Sequence, residues 1–170
     1  MQEIQELVFS YGGVLAGSFV RDVVIRGEER VQTRDLDVLL TFTGALELLN
    51  EFTEGVSFLS YSEEEKFLHY TVKTEEVLLD VFAGSDEEHV YLCSPDADVN
   101  CVCYDGQGFF LWYPILGERY GVGMDEQDVI ERVLKKQAVM LVHEWKEEEK
   151  NGIMMKERKD KLAKQGWSVR

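Results

Sequence analysis

The segment at residues 35–40, DLDVLL, constrains this chain more than any other. In an extended strand alternate side chains take opposite faces, so Asp35, Asp37 and Leu39 share one face while Leu36, Val38 and Leu40 share the other. The apolar face has to be covered, which calls for a sheet with helices packed on one side. The two carboxylates project side by side, and their like charges need either solvent or a cation. A lone D-x-D is also what any solvent-exposed strand face can carry. Residues 77–84, VLLDVFAG, sharpen the reading, because Asp80 stands alone in an apolar strand where an uncompensated buried carboxylate is expensive. Three carboxylates on adjacent strands form a hard-oxygen donor set suited to Mg²⁺ or Mn²⁺.

Periodicity places these strands in an order. Ile4, Leu7, Val8 and Tyr11 predict a helix over residues 2–11, ended by Gly12 and Gly13. A short apolar strand follows at 14–17, then a helix over 19–26 with Ser18 as N-cap and Val23 and Val24 facing inward. Gly17-Ser18 thus lies between a strand and a helix, where backbone N–H groups and a hydroxyl suit phosphate oxygens; alone, Gly-Ser is only a turn. A helix is expected over 44–52 and strands over 56–61, 67–73 and 77–82, the last two joined by a short turn at Thr74 and Glu75. A further strand is expected over 99–104, followed by a hairpin turn at Asp105-Gly106-Gln107-Gly108 into 109–112. From Asp125, the spacing of Val129, Ile130, Val133, Leu134, Val139 and Leu141 predicts one long helix to about Lys146. The fold class is α+β, a mixed sheet with helices on one side over residues 1–122, extended by a C-terminal helical arm over 123–170.

Charge narrows the functions. The chain has 33 Asp+Glu against 18 Lys+Arg, a formal net charge of -15 over 170 residues, which argues against a protein whose main task is to coat nucleic acid. Residues 146–170 hold 8 Lys+Arg and 5 Asp+Glu, net +3, leaving -18 on the preceding 145. That basic end either touches RNA or is a solvated helix face. Trp145, Met154, Leu162 and Trp167 are placed to pack back on the first unit or onto a second chain, so an oligomeric partner through the C-terminal helices is one expectation. No stretch approaches about 18 consecutive apolar residues and the N-terminus lacks a signal-peptide pattern, so a cytoplasmic protein without membrane partners is expected. Cys93, Cys101 and Cys103 fit free thiols. With His89 they match none of the paired ligand spacings of zinc sites.

The string Ala16-Gly17-Ser18-Phe19-Val20-Arg21-Asp22 resembles the G-G-x-V-R-D motif of the tRNA CCA-adding enzymes and bacterial poly(A) polymerases, with Asp35-Leu36-Asp37 in the place of their D-x-D. Residues 96–105, DADVNCVCYD, are similar to the family's R-D-F-T-I-N-A-L-A-Y-D segment. These enzymes belong to the DNA polymerase β nucleotidyltransferase superfamily, and the resemblance spans about residues 12–112. It implies a palm-like nucleotidyltransferase head that moves NMP from an NTP, such as ATP, to a hydroxyl on RNA, protein or a small molecule by a two-metal mechanism. In that scheme Asp35 and Asp37 bind both metals, Asp80 joins them and helps to deprotonate the hydroxyl, and Gly17 and Ser18 hold the triphosphate. Arg21, Asp22, Asp96 and Asn100 match positions near the nucleotide sugar and phosphates. Equally, Arg21 and Asp22 can be a surface ion pair and Asn100 can satisfy backbone groups at a strand end.

The departures are specific. Pro95 stands where the family has an arginine, Ser18 replaces its second glycine, and after Trp112 the chain has no room for the family's neck and body domains, so weak or small-acceptor binding in RNA processing or another transfer is expected. The alternative is a catalytically quiet nucleotide-binding or regulatory module that acts through partner binding. A nucleotide-sugar transferase using D-x-D for Mn²⁺ leaves Gly17-Ser18 and Arg21-Asp22 unexplained.

Overall fold

The computed structural model describes residues 2–28, 35–64, 66–84, 96–111, 125–141 and 148–170, the last segment without the side chains of 148–154. Its strands are β1 (Val14–Ala16), β2 (Asp35–Thr41), β3 (Val56–Ser62), β4 (Phe67–Lys73), β5 (Leu78–Gly84), β6 (Val102–Tyr104) and β7 (Phe109–Leu111). They form one mixed sheet in the order β3-β4-β5-β2-β1-β6-β7. Only β2 and β5 run parallel; the other neighbours are antiparallel.

The alternation in β2 does what its pattern predicts. Leu36, Val38 and Leu40 are buried in the main core with Leu15 of β1 and Leu79 and Val81 of β5. Helices cover this face: α1 (Gln2–Ser10) through Val8, a π-helix (Phe19–Ile25) through Phe19 and Val20, α2 (Phe42–Leu49) through Ala45 and Leu48, and α3 (Glu126–Leu134) through Val129. Each of the larger of these side chains, when taken from water, contributes roughly 1.5–3 kcal/mol before chain entropy is counted. α2 starts where Thr41 accepts a hydrogen bond from the Gly44 N–H at 3.1 Å, two residues earlier than the apolar spacing suggests. It is pinned to β4 by the buried Tyr70, whose hydroxyl donates to the Ala45 carbonyl at 2.8 Å. The α+β architecture with helices on one side is therefore the observed one.

Three local expectations are corrected. Ser18 is not an N-cap: its backbone is helical and its side chain makes no capping bond. The helix it opens is wound as a π-helix, so Phe19, Val20, Arg21 and Asp22 are buried while Val23 and Val24 are only partly so. The strand expected over 99–104 begins only at Val102, because Asp98–Asn100 forms a 3₁₀ turn with the Cys101 N–H donating to the Asp98 carbonyl at 2.9 Å.

A fourth correction is the largest. The helix from Asp125 stops at Leu134 instead of running to Lys146. Arg26 Nη1 donates to the carbonyls of Val133 and Leu134 at 3.0 and 3.1 Å, closing its C-terminus. Lys136 then takes φ 53°, and β8 (Gln137–Ala138) pairs in parallel with β9 (Ser168–Val169), which follows α4 (Glu148–Lys164). The chain turns extended because Asp98, fully buried, requires donors. Its Oδ1 accepts from the N–H groups of Val139 and Val99, each at 2.8 Å, and its Oδ2 from Arg132 Nε at 2.6 Å. A continued helix would have consumed the Val139 N–H in its own ladder.

A second buried cluster joins Ala97 and Val99 to Val133, Ala138, Leu162 and Trp167, so the C-terminal residues pack back on the sheet-bearing part of the chain.

Removing one partner from a buried ion pair strands the other charge. Arg132→Ala is therefore expected to cost about 3 kcal/mol or more in urea unfolding, whereas Glu28→Ala, which breaks the more exposed pair with Arg26, should cost about 1 kcal/mol at most.

Candidate active site

β2 and β5 are in register with Asp37 opposite Asp80 and Asp35 opposite Leu78. The strand pleat therefore puts all three carboxylates on the sheet face away from the main core, Asp37 and Asp80 as direct neighbours. On the other side of β2, Ala16 pairs with Asp37, and the chain leaves β1 through Gly17 at φ 70°. A Cβ at Gly17 would collide with Oδ2 of Asp37. Glycine is required there twice over, by the left-handed backbone and by the carboxylate lying against it.

Asp37 carries the electrostatic signature of the site. Burial first, then the charges of Asp80 and Asp35, push its carboxyl up to about 7. Among the described residues no hydrogen bond or ion pair compensates it. Asp80 behaves differently, because its Oδ1 lies 2.6 Å from Nε2 of His69 on β4. The His69 ring in turn stacks on Phe82, centroids 4.1 Å apart. Within the described residues no group of three His, Cys, Asp or Glu side chains is gathered closely enough to be a ready-made metal cage. The donor set nonetheless fits Mg²⁺ or Mn²⁺, which bind through one or two carboxylates together with waters and substrate phosphates, and the uncompensated charge on Asp37 is what a divalent cation would offset.

The remaining candidates sort differently. Arg21, Asp22 and Asn100 come together, and they are not on the surface: Arg21 and Asp22 are 4% and 3% exposed. Arg21 grips both oxygens of Asp22, at 2.7 and 2.8 Å, and donates through Nη1 to Asn100 Oδ1 at 2.9 Å. The ring of Trp167 covers the guanidinium at 4.9 Å. The surface ion-pair alternative for Arg21 and Asp22 is thereby excluded. Asp96 pairs with Arg158 of α4 at 3.3 Å. Ser18 is partly buried beside Gly17, and its side chain makes no bond to the helix it begins.

Two residues escaped the sequence reading. Asp98 lay inside a motif yet went unremarked, although a second acid two residues from Asp96 in an apolar stretch was a signal. His69 lay in the alternation FLHYTVK, on the same strand face as Phe67 and Thr71. Cys101 and Cys103 are buried free thiols, and burial pushes both up, Cys103 to about 12, which disfavours the thiolate. His89, Cys93, Pro95, Trp112 and Trp145 lie outside the described residues. Among the described residues no helix is long and apolar enough to cross a membrane.

No protein-family model matches the chain, and no curated protein matches it by sequence. Solved structures do. A CCA-adding enzyme in complex with CTP overlays 82% of this chain with a TM-score of 0.51 at 15% identity, using 33% of its own length. A tRNA-processing enzyme in an apo form matches 83% of this chain at 19% identity and TM-score 0.46, and a CCA-adding enzyme with ATP 83% at 13% and 0.49, over 36% and 32% of their lengths. The chain thus spans about a third of the proteins it resembles. At these identities the first likeness shows a nucleotidyltransferase-like fold.

Two outcomes follow from the geometry. Because the Asp37 carboxyl binds its proton more tightly folded than unfolded, it subtracts stability progressively as pH rises from about 4 through about 7, and by a constant amount above. Asp37→Asn should therefore leave the metal-free melting temperature near wild type at pH 3.5 and raise stability by as much as about 4 kcal/mol at pH 8. Gly17→Ala should displace Asp37 and cost about 2 kcal/mol or more, and Asp37→Asn, by removing the charge but not the bulk, should not rescue it.

Proposed function

We propose that this chain is a metal-dependent nucleotidyltransferase that moves NMP from an NTP to a hydroxyl acceptor. The observation that carries the reading is Asp37: a partly buried carboxylate, flanked by Asp35 and Asp80, pushed up to about 7 with no compensating partner among the described residues. Strongly perturbed carboxylates in such a cluster mark functional sites more often than structural ones. The Gly-Ser turn that abuts Asp37, the order of motifs and the fold shared with a CCA-adding enzyme seen with CTP all support the same assignment.

Asp35 and Asp37, with Asp80 beside them, would hold Mg²⁺ or Mn²⁺, which supplies charge neutralisation of the triphosphate and of the developing oxyanion. The residues' own tasks are then definite. The N–H groups and hydroxyl at Gly17-Ser18 orient phosphate oxygens next to Asp37. The acceptor oxygen attacks the α-phosphorus, its P–O bond forms, the bond from the α-phosphorus to the bridging oxygen breaks, and pyrophosphate leaves with that oxygen. Oδ2 of Asp80, whose Oδ1 is engaged by His69, takes the proton of the attacking hydroxyl. The Arg21–Asp22–Asn100 group holds the helix that follows the phosphate turn in place.

A second reading, a nucleotide-binding module without turnover, has one observation in its favour. Arg21, Asp22 and Asn100 satisfy one another beneath Trp167, and Asp96 pairs with Arg158, so four residues matched to nucleotide contacts have internal partners.

Purified chain incubated with Mg²⁺ or Mn²⁺ and each α-labelled NTP is expected to label an RNA, protein or small hydroxyl acceptor, and Asp37→Asn to lower that rate by 10³-fold or more, on the order of 4 kcal/mol. Metal-dependent NTP binding without transfer to any acceptor would select the second reading.

A further inference from the structure

We infer that His69 is a positioning residue for this site, fixing Asp80 through a hydrogen bond from Nε2; the inference rests on the assignment of the carboxylate face proposed above. The sheet register shows that the contact is not a default of strand pairing. Thr71 lies directly opposite Asp80, and His69 lies opposite Phe82. The imidazole therefore reaches diagonally to Asp80, at 2.6 Å, while its plane is held 18° from that of Phe82. Two independent constraints, a stack and a hydrogen bond, set one ring orientation.

A carboxylate only accepts, so the hydrogen in this contact sits on Nε2. It occupies Oδ1 of Asp80 and leaves Oδ2 as the oxygen without a partner among the described residues. The two side chains are 21% and 25% exposed, so the pair is not a buried charge satisfied for the sake of the core. A pair this accessible adds little to stability. Its consequence is geometric: without it, Asp80 is free to rotate away from Asp37, its repelling neighbour across the β2–β5 pairing. Outer partners of metal-binding carboxylates act in this way, and removing them typically weakens metal affinity or activity about 10–100-fold.

The test separates ring packing from hydrogen bonding. His69→Phe keeps an aromatic ring on Phe82 and loses the donor, and His69→Gln keeps a donor amide and loses the ring. Mn²⁺ binding to the full chain is titrated at one fixed pH by the EPR signal of free Mn²⁺, with thermal melts confirming that each variant is folded. His69→Phe is expected to weaken binding about 10-fold or more, and His69→Gln to stay within about 3-fold of wild type. If His69→Phe fails to fold, His69→Leu replaces it. Wild-type affinity in the donor-less variant, or a His69→Gln protein as weak as it, overturns the inference while leaving the site intact. Asp37→Asn is the control for the site itself: if wild type binds no Mn²⁺, or Asp37→Asn binds it equally well, the site assignment fails and the role of His69 fails with it.

Discussion

The parallel pairing of β2 with β5 is the constraint around which the described structure is arranged. Parallel neighbours cannot be joined by a tight hairpin. The chain leaving Asp35–Thr41 instead lays α2 over the apolar face, adds β3 and β4 at the sheet edge, and re-enters beside β2 as β5. That path gives Asp80 two flanks, Asp37 on the parallel side and the strand of His69 on the antiparallel side. It also forces like charges together, and the cost is tolerated because the opposite face of the same strands buries Leu36, Val38, Leu79 and Val81.

The treatment of acids elsewhere in the molecule makes Asp37 informative. Asp98 is fully buried yet has two backbone donors and a guanidinium. Asp22 is nearly as buried and is gripped by both arms of Arg21. The fold has the means to satisfy an enclosed carboxylate: it gives Asp98 a guanidinium from the last turn of α3 and a backbone donor from the extended segment beyond it. At Asp37 the described residues provide Gly17, which removes bulk instead of adding a donor. Among the described residues Asp37 is thus left uncompensated beside two like charges where compensation is routine nearby, which is why the proposed reading gives it a cation.

Most of the sheet was legible because its signal is local. The alternation in 35–40 and the lone Asp80 sufficed to place three acids on one face, whereas the register that sets Thr71 opposite Asp80 and His69 one diagonal away came only with the structure. What was not legible depended on contacts between distant segments. The end of α3 at Leu134 is set by Arg26, about a hundred residues earlier, and the extended course at Val139 by Asp98. Apolar spacing at Val129 and Val133 was truly helical, whereas Val139 and Leu141 sit two apart, a strand interval that was absorbed into a helix by proximity. The burial of Arg21 and Asp22 was hidden for the same reason, since Trp167 comes from the far end of the chain.

These placements change what the net charge of -15 means. Arg21, the basic residue of the glycine motif, is neutralised by Asp22 and shared with Asn100, so it adds no free positive field beside Gly17. Arg158 is likewise set against Asp96, which draws part of the basic C-terminal helix into internal pairing. Among the described residues, then, neither of these two arginines offsets the carboxylates at Asp35, Asp37 and Asp80, and on the proposed reading a triphosphate is repelled by them within a screening length of about 8 Å. Under the proposed reading, divalent cations have to enter with the nucleotide, and the same field penalises a long polyanionic acceptor more than a short or uncharged one. On that reading, acidity would act on the choice of acceptor through the same three carboxylates to which the chemistry is assigned.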